Sequence, residues 1–247
     1  MASVPAQIEA FLFDMDGVLT ETAKVHAAAW KQMFDAYLTE RGQREGTEYA
    51  PFDAHDDYNT YVDGKPRYDG VESFLGARGI ELPQGTPEDD PGEETIDGLG
   101  NRKNVLVMEL IRRDGVDAYP GSIRLLEAVR AAGKKIAVVS SSANCAEIVT
   151  AAKLEGLLDV RVDGKTLASE KLAGKPAPDT YLHAAGELDT PASNAAVFED
   201  ALSGVEAGRA GDFGLVVGVN RVGQAAALSE HGADIVVDDL AELLPYP

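Results

Sequence analysis

Two carboxylates separated by one residue, Asp14 and Asp16, directly follow an apolar run in the segment Asp14-Met15-Asp16-Gly17-Val18-Leu19-Thr20. Side chains two residues apart in an extended chain point to the same side, so both carboxylates can face one ligand. Gly17 allows the chain to turn sharply and to present backbone amides to an anion. The polar end of a strand is the alternative interpretation, and this segment alone does not decide between them.

Three further polar clusters stand beside apolar runs or helix starts. They are Ser140-Ser141-Ser142-Ala143-Asn144, Gly174-Lys175-Pro176-Ala177-Pro178-Asp179 and Phe198-Glu199-Asp200-Ala201-Leu202-Ser203-Gly204. The hydroxyls of the first can bind phosphate, the lysine of the second can neutralise a phosphoryl group, and the acids of the third are hard oxygen ligands for Mg²⁺. The structural alternatives are an N-cap, an exposed lysine and a solvated acidic turn.

Taken together, the four clusters predict Mg²⁺-dependent phosphoryl transfer. Asp14 is the expected nucleophile, which would form an aspartyl phosphate, and Asp16 is the expected general acid and base. Lys175 and a Mg²⁺ ion bound by Glu199 and Asp200 would offset the repulsion between Asp14 and a phosphate. The sequence holds no Walker A motif and no His-Glu-x-x-His motif, and no His or Asn pattern supports its single cysteine as a catalytic thiol.

The elements that must position these residues are strands and helices in alternation. Apolar runs predict strands at residues 8–13, 135–139, 195–198, 213–219 and 233–237. Helical patterns that end near a glycine lie between them at residues 122–132, 143–154, 178–185 and 203–210. This order predicts the α/β class with a doubly wound parallel sheet, whose ligand crevice lies at the carboxyl ends of the strands. The polar clusters fall at that edge.

A helical stretch interrupts this alternation after the first strand. Residues 1–21 and 116–247 are predicted to form a Rossmann-like core, and residues 22–115 an inserted helical domain. Helices are expected at residues 23–38, 70–78 and 104–113. The acidic residues 86–97 are expected to be a solvated loop, and residues 100–104 a solvated turn, with a contact to substrate as the alternative for the turn.

Charge and cysteine usage exclude several classes of protein. The 247 residues include 42 acidic and 22 basic side chains, for a net charge of −20. Such a surface repels polyphosphates and anionic lipids, so neither nucleic acid nor a membrane is an expected partner. Cys145 is the single cysteine and the N-terminus lacks a signal-peptide pattern, so a cytoplasmic protein is expected.

The ordered motifs Asp14-x-Asp16-Gly17-Val18, Ser140, Lys175 and Glu199-Asp200 resemble those of the haloacid dehalogenase superfamily of phosphohydrolases. This resemblance implies a Rossmann-like core and an α-helical cap. Within the superfamily, the segment from Asp14 to Ala23, with His26 and Trp30, is similar to the β-phosphoglucomutases. That likeness implies conversion of β-glucose 1-phosphate to glucose 6-phosphate, with Mg²⁺ as cofactor and glucose 1,6-bisphosphate as activator and intermediate.

The same resemblance implies roles for individual residues. The Mg²⁺ ligands would be Asp14, the backbone carbonyl of Asp16, Glu199 and Asp200. Ser140 and Lys175 would hold the transferring phosphate. Arg67, Ser142 and Asn144 would contact the second phosphate of the substrate. The expected partner is therefore a small-molecule sugar phosphate, bound by a monomer.

Cap closure separates the possible reactions. The resemblance implies that Thr22 and His26 are hinge and cap residues that align Asp16 when the cap closes, which keeps water out until a sugar hydroxyl arrives. A sugar-phosphate phosphatase, in which Asp16 activates water, is the alternative. A non-catalytic phosphosugar-binding protein is the third possibility, and the intact pair Asp14 and Lys175 argues against it, since a binding protein needs no nucleophile.

Overall fold

A computed structural model describes residues 3–63 and 65–245 of the chain. Within these residues six parallel strands form one sheet: β1 (Ala10–Phe13), β2 (Lys135–Val139), β3 (Val160–Val162), β4 (Ala195–Glu199), β5 (Leu215–Val219) and β6 (Ile235–Val237). Their order across the sheet is β3-β2-β1-β4-β5-β6. From β1 the strand order runs outward on both sides, to β2 and β3 on one and to β4, β5 and β6 on the other. This order confirms the predicted doubly wound parallel sheet.

The described residues also form nine α-helices. They are α1 (Thr22–Glu45), α2 (Arg67–Gly76), α3 (Ile96–Asp114), α4 (Pro120–Ala131), α5 (Cys145–Ala151), α6 (Gly164–Glu170), α7 (Asp179–Glu187), α8 (Leu202–Ala210) and α9 (Ala225–Glu230). Tyr58–Val62 forms a π-helical turn, and 3₁₀ turns occur at Glu155–Leu157, Ala192–Asn194 and Leu240–Leu243. Across the described part of the chain, each helix is too short or too polar to span a bilayer.

The chain divides into two compact units. The core unit consists of the residues up to Glu21 and those from Val116 onward, and it holds the whole sheet with α4 to α9. The helical unit, Thr22–Gly115, holds α1, α2 and α3. Each unit has its own cluster of buried apolar side chains.

The central strand of the core unit is covered on both faces. Leu12 of β1 belongs to the same buried cluster as Tyr181 of α7. Phe11 and Phe13 point to the opposite face, because side chains alternate along a strand. Their rings stack with Phe198 of β4 at centroid distances of 5.7 and 4.4 Å. This explains why the strand reads as a continuous apolar run.

Several boundaries in the core unit differ from those predicted. The first strand begins at Ala10 rather than at residue 8, and β5 and β6 each begin two residues later than expected. The edge strand β3 is absent from the prediction because it has only three residues, with the exposed Arg161 in the middle. The predicted helix 143–154 is shorter, running from Cys145 to Ala151.

Aromatic side chains form the centre of the helical unit. Trp30 and Phe34 lie on α1, which continues to Glu45 instead of ending near residue 38. The ring of Phe34 contacts those of Trp30, Phe52 and Phe74, with centroid distances of 5.2, 5.3 and 4.0 Å. Stacked and tilted rings at these separations add packing specificity to the apolar burial.

The predicted solvated segments 86–97 and 100–104 are partly wrong. Helix α3 begins at Ile96, well before the expected residue 104, because the Thr95 hydroxyl caps it by accepting a hydrogen bond from Gly98 N at 2.9 Å. Ile96 and Asp97 are buried. Residues 100–104 are helical, and Gly100 is buried. Gly64 lies outside the described residues.

Candidate active site

The carboxyl ends of three neighbouring strands bring the predicted residues of the core unit to one edge of the sheet. Asp14 directly follows β1, Ser140 follows β2, and Glu199 is the last residue of β4. The backbone amide of Asp14 donates to the carbonyl of Phe198 at 2.9 Å, which extends the β1–β4 pairing by one residue. The expected convergence of these clusters is therefore observed.

Lys175 lies between the two carboxylates of this edge. Its Nζ atom donates hydrogen bonds to Asp14 Oδ1 and Glu199 Oε1, both at 2.5 Å, and to the carbonyl oxygen of Val139 at 3.3 Å. The side chain is only 5% exposed. An exposed surface lysine is therefore the wrong interpretation of this residue, and its ammonium group joins the ends of β1, β2 and β4.

Burial and charge determine the protonation of this cluster. Burial raises the pKa of Asp14 well above its usual value, and the negative charges of Glu199 and Asp16 add to the effect against the opposing attraction of Lys175. Burial alone would lower the pKa of Lys175, but the charges of Asp14 and Glu199 outweigh it and raise that pKa. The lysine is thus cationic, and the ionised carboxylate of Asp14 is destabilised in the absence of a further cation.

The donor set fits a magnesium ion. Carboxylate oxygens of Asp14, Glu199 and Asp200 lie within 4.8 Å of one another. These are hard oxygen ligands, and one ammonium group does not balance their three negative charges. Gly17 has a φ of 83°, and a Cβ atom there would overlap the Asp200 carboxylate, so this glycine leaves room for the acid. Because Glu199 is only 1% exposed, a solvated turn is the wrong interpretation of that residue.

The serine cluster forms an ordered turn between β2 and α5. Ser140 is 2% exposed, and its backbone amide donates to Val162 at 2.9 Å. The Oγ atom of Ser140 accepts from the amide of Ser142 at 3.1 Å, and the Oγ atom of Ser142 accepts from the amide of Asn144 at 3.2 Å. Both hydroxyls act as acceptors in these bonds, so either can still donate its proton to an anionic oxygen.

The turn that carries Asp16 is fixed by its own backbone. Gly17 N donates to the carbonyl of Thr20 at 2.9 Å, and the Thr20 hydroxyl donates to the carbonyl of Met15 at 3.1 Å. Asp16 is partly exposed, whereas its neighbours Met15 and Gly17 are buried. A partly solvated carboxylate beside the buried Asp14 suits a group that gives and takes protons.

Two residues near this edge of the sheet, Arg221 and Tyr181, were not predicted from the sequence. Arg221, which follows β5, donates from Nε to the carbonyl of Gly17 at 2.7 Å. Tyr181 of α7 donates from its hydroxyl to Glu199 Oε1 at 2.8 Å. The position of Arg221 just after a predicted strand was a usable signal, since the other site residues follow strands as well. Tyr181 gave none, because a tyrosine on an apolar helix face is typical of a core.

The helical unit contains a partly buried lysine–histidine contact. Lys103 Nζ lies 2.7 Å from His26 Nδ1 and 4.7 Å from the centroid of the Trp30 ring. A lysine ammonium only donates hydrogen bonds, so Nδ1 is the acceptor and His26 carries its ring proton on Nε2. Lys103 is 6% exposed, which contradicts the solvated turn expected at residues 100–104. The predicted residue His26 is thus held in one orientation.

The other two predicted residues of the helical unit begin helices. Thr22 is the first residue of α1, one turn before His26. Arg67 is the first residue of α2, and its guanidinium carbon lies 5.0 Å from the ring centroid of Tyr68. The expected roles of Thr22, His26 and Arg67 toward the residues of the core unit stay predictions.

Comparison with known proteins identifies the family. A family model described as haloacid dehalogenase-like hydrolase matches residues 8–212. The chain belongs to this family. It is 57% identical over 244 residues to a β-phosphoglucomutase of Mycobacterium tuberculosis, which covers 98% of this chain and 93% of that protein. It is 33% identical to a β-phosphoglucomutase of Bacillus subtilis over 96% of this chain and 92% of that one.

A solved structure agrees with this assignment. The crystal structure of β-phosphoglucomutase from Clostridium difficile superposes with a TM-score of 0.72 and 26% identity, over 96% of this chain and 93% of that one. The resemblance inferred from the motifs is therefore confirmed, and the protein is an enzyme of the haloacid dehalogenase-like hydrolase family. The buried carboxylates of Asp14 and Glu199, together with the ammonium group of Lys175, are the groups from which its reaction must be derived.

Proposed function

We propose that this haloacid dehalogenase-like enzyme is a Mg²⁺-dependent β-phosphoglucomutase. It would interconvert β-D-glucose 1-phosphate and glucose 6-phosphate through an aspartyl-phosphate enzyme and glucose 1,6-bisphosphate. The observation that carries the choice of reaction is the 57% identity to a β-phosphoglucomutase over nearly the whole chain. The contact of Lys175 with both Asp14 and Glu199 supports the chemistry, because it places a cation beside the nucleophile.

The first half-reaction charges the enzyme. A carboxylate oxygen of Asp14 attacks a phosphorus atom of glucose 1,6-bisphosphate, and the bond between that phosphorus and the sugar oxygen breaks. Asp16 donates its proton to the departing oxygen. Lys175 neutralises part of the charge where the carboxylate and the phosphoryl group meet, and Ser140 donates a hydrogen bond to the phosphoryl oxygens.

The second half-reaction returns the phosphoryl group to a sugar. The free hydroxyl of the sugar phosphate gives its proton to Asp16 and attacks the phosphorus, and the bond from phosphorus to Asp14 breaks. The bisphosphate that results then turns over within the site, and its other phosphate is transferred to Asp14 in the same way. Arg67, Ser142 and Asn144 are proposed to hold the phosphate that does not react.

Mg²⁺ would bind at Asp14, the backbone carbonyl of Asp16, Glu199 and Asp200, and it would supply positive charge to the transferring phosphoryl group. The cluster of three acids supports this assignment. Thr22 and His26 are proposed to align Asp16 when the cap closes, with Lys103 holding the ring of His26. The expected cytoplasmic location and monomeric state stay predictions.

A sugar-phosphate phosphatase is the second candidate, and the hydrolase description of the matching family favours keeping it. The two enzymes would share Asp14 and the aspartyl phosphate, and they would differ in whether Asp16 activates water or a sugar hydroxyl. A non-catalytic phosphosugar-binding protein is disfavoured, because burying a carboxylate beside a lysine is costly and serves no purpose in binding an anion.

Phosphorus NMR distinguishes these functions. The purified protein is incubated with Mg²⁺, β-glucose 1-phosphate and a trace of glucose 1,6-bisphosphate, with α-glucose 1-phosphate as the control substrate. Glucose 6-phosphate from the β anomer alone, with little free phosphate, is the result expected of the mutase. Free phosphate as the main product would establish the phosphatase, and no turnover of either anomer would contradict both enzymes.

A further inference from the structure

Tyr181 is a buried polar side chain next to the acidic cluster. It lies on α7 with no exposed surface, and its ring packs edge-on against Phe213 with the centroids 6.1 Å apart. The ring centroid is 5.0 Å from Lys175 Nζ. A buried tyrosine hydroxyl needs a hydrogen-bond partner, and the surrounding core fixes where this one points.

That partner is the carboxylate of Glu199. The Tyr181 hydroxyl donates to Oε1 at 2.8 Å, and Lys175 Nζ donates to the same oxygen at 2.5 Å. The other oxygen, Oε2, accepts from the backbone amide of Ala201 at 3.1 Å. A carboxylate oxygen offers two lone-pair positions in its plane, so the two donors fill Oε1, while Oε2 keeps one position open.

We propose that Tyr181 is a positioning residue, whose hydroxyl fixes the orientation of the Glu199 carboxylate so that Oε2 is the oxygen presented to a divalent cation. This inference rests on the proposed Mg²⁺-dependent function and adds to it a residue outside the proposed ligand set. It also assigns the two oxygens of Glu199 to different tasks. Oε1 joins the tyrosine and the lysine, and Oε2 serves the metal site.

The carboxylate needs this second anchor because its terminal torsion is soft. Rotation about the last bond of a glutamate is broad and roughly two-fold. Lys175 alone is a weak restraint, since its ammonium is shared with Asp14. Gly204 leaves room for the carboxylate of Glu199, because a Cβ atom at that position would overlap it. Of the two side-chain donors to Glu199, Lys175 also bonds Asp14, whereas the Tyr181 hydroxyl bonds Glu199 alone.

The test is the substitution Tyr181→Phe, which removes the hydroxyl and keeps the ring. We expect Mg²⁺ to bind about 10-fold more weakly, within the range seen when a group that orients a metal ligand is lost. The measurement is titration calorimetry of the folded protein with MgCl₂ and no substrate. Kinetics should show a raised apparent KM for Mg²⁺ and a nearly unchanged kcat at saturating Mg²⁺, which a general packing defect would not produce.

Thr180→Val is the matched control. Thr180 precedes Tyr181 on α7, and its buried Oγ1 atom has no hydrogen-bond partner within the part of the chain that the structure describes. Removing that hydroxyl should leave Mg²⁺ binding at the wild-type value. Equal Mg²⁺ affinity of Tyr181→Phe and wild type would overturn the inference and leave the proposed function standing. Failure of the wild type to bind Mg²⁺ would overturn both.

Discussion

Arg221 donates a hydrogen bond from Nε to the carbonyl oxygen of Gly17 across 2.7 Å, although 204 residues separate the two in sequence. The same guanidinium group donates from a second nitrogen to the carbonyl of Asp238 at 3.0 Å. Its central carbon lies 3.6 Å from the centroid of the Tyr119 ring. Three contacts thus hold this side chain against the turn that follows β1 and carries Asp16.

Replacing Arg221 by Met should loosen that turn and lower kcat by about 10- to 100-fold, because small misplacements of a catalytic group are costly. The KM for sugar phosphate should change little, since Arg221 is assigned no contact with substrate. Steady-state assays of mutase activity measure both constants. Arg124→Met, at an exposed arginine of α4, is the control for loss of charge. A wild-type kcat in the Arg221 variant would contradict this positioning role.

Asp14→Asn should abolish turnover and yet raise the melting temperature of the metal-free protein. The raised pKa of Asp14 means that burial and the charges of Glu199 and Asp16 penalise its ionised form in the folded state. The free energy of unfolding therefore decreases progressively as the pH rises from about 4 toward the raised pKa of Asp14, and this loss is complete above that pKa. The neutral asparagine avoids that loss.

Calorimetric melting of both proteins from pH 4 to pH 8, in the presence of a chelator, measures this difference. The gain from Asp14→Asn should grow with pH, and Mg²⁺ should stabilise the wild type more than the variant. A variant that melts below the wild type at pH 8 would show that the attraction of Lys175 outweighs the burial of Asp14.

Gly17→Ala should impair Mg²⁺ binding and activity together. A Cβ atom at this position would overlap the Asp200 carboxylate, and the φ of 83° adds about 1–2 kcal/mol of backbone strain. Gly133→Ala is the matched control, because Gly133 has a φ of 69° and nothing within 4 Å of its Cβ position. Both variants should lose stability, and only the first should lose Mg²⁺ affinity by calorimetry. Equal Mg²⁺ affinity in the two would exclude a steric effect on Asp200.

Lys103→Met should free the ring of His26. The lysine donates to Nδ1 at 2.7 Å, and this bond selects the tautomer with the proton on Nε2. Long-range ¹H–¹⁵N NMR should show that tautomer in the wild type and a mixture in the variant. If His26 has its proposed role, the mutase activity of the variant should also be lower than that of the wild type. Arg102→Met, one residue away and paired loosely with Glu40 at 3.4 Å, should change neither signal.

The sheet, and the convergence of polar residues at one of its edges, could be predicted because each signal was local. The apolar runs of β1, β2 and β4 end directly at polar residues, and parallel strands place such ends side by side. Asp14, Lys175 and Glu199 could therefore be assigned to one site before their contacts were known. The edge strand β3 escaped prediction, since three residues with a central arginine carry too little periodicity.

The supporting residues could not be predicted because their meaning depends on distant partners. Lys103 stands among polar residues and reads as solvated, yet it meets His26, which is 77 residues away in sequence. Tyr181 reads as a core aromatic, and its contact with Glu199 spans 18 residues. The start of α3 at Ile96 was not predicted, because the acidic residues before it are typical of a solvated loop, although Thr95 is a regular N-cap.

Cys145, the single cysteine, is fully buried, and burial together with the charges of Asp16 and Asp163 raises the pKa of its thiol. Alkylating reagents attack the thiolate, so this sulfur will resist maleimides. A cysteine introduced at Val105 or Leu182, which are 44% and 42% exposed, would then be the reactive thiol of the chain. A fluorophore or spin label can thus be attached to either unit separately, without first removing the native cysteine.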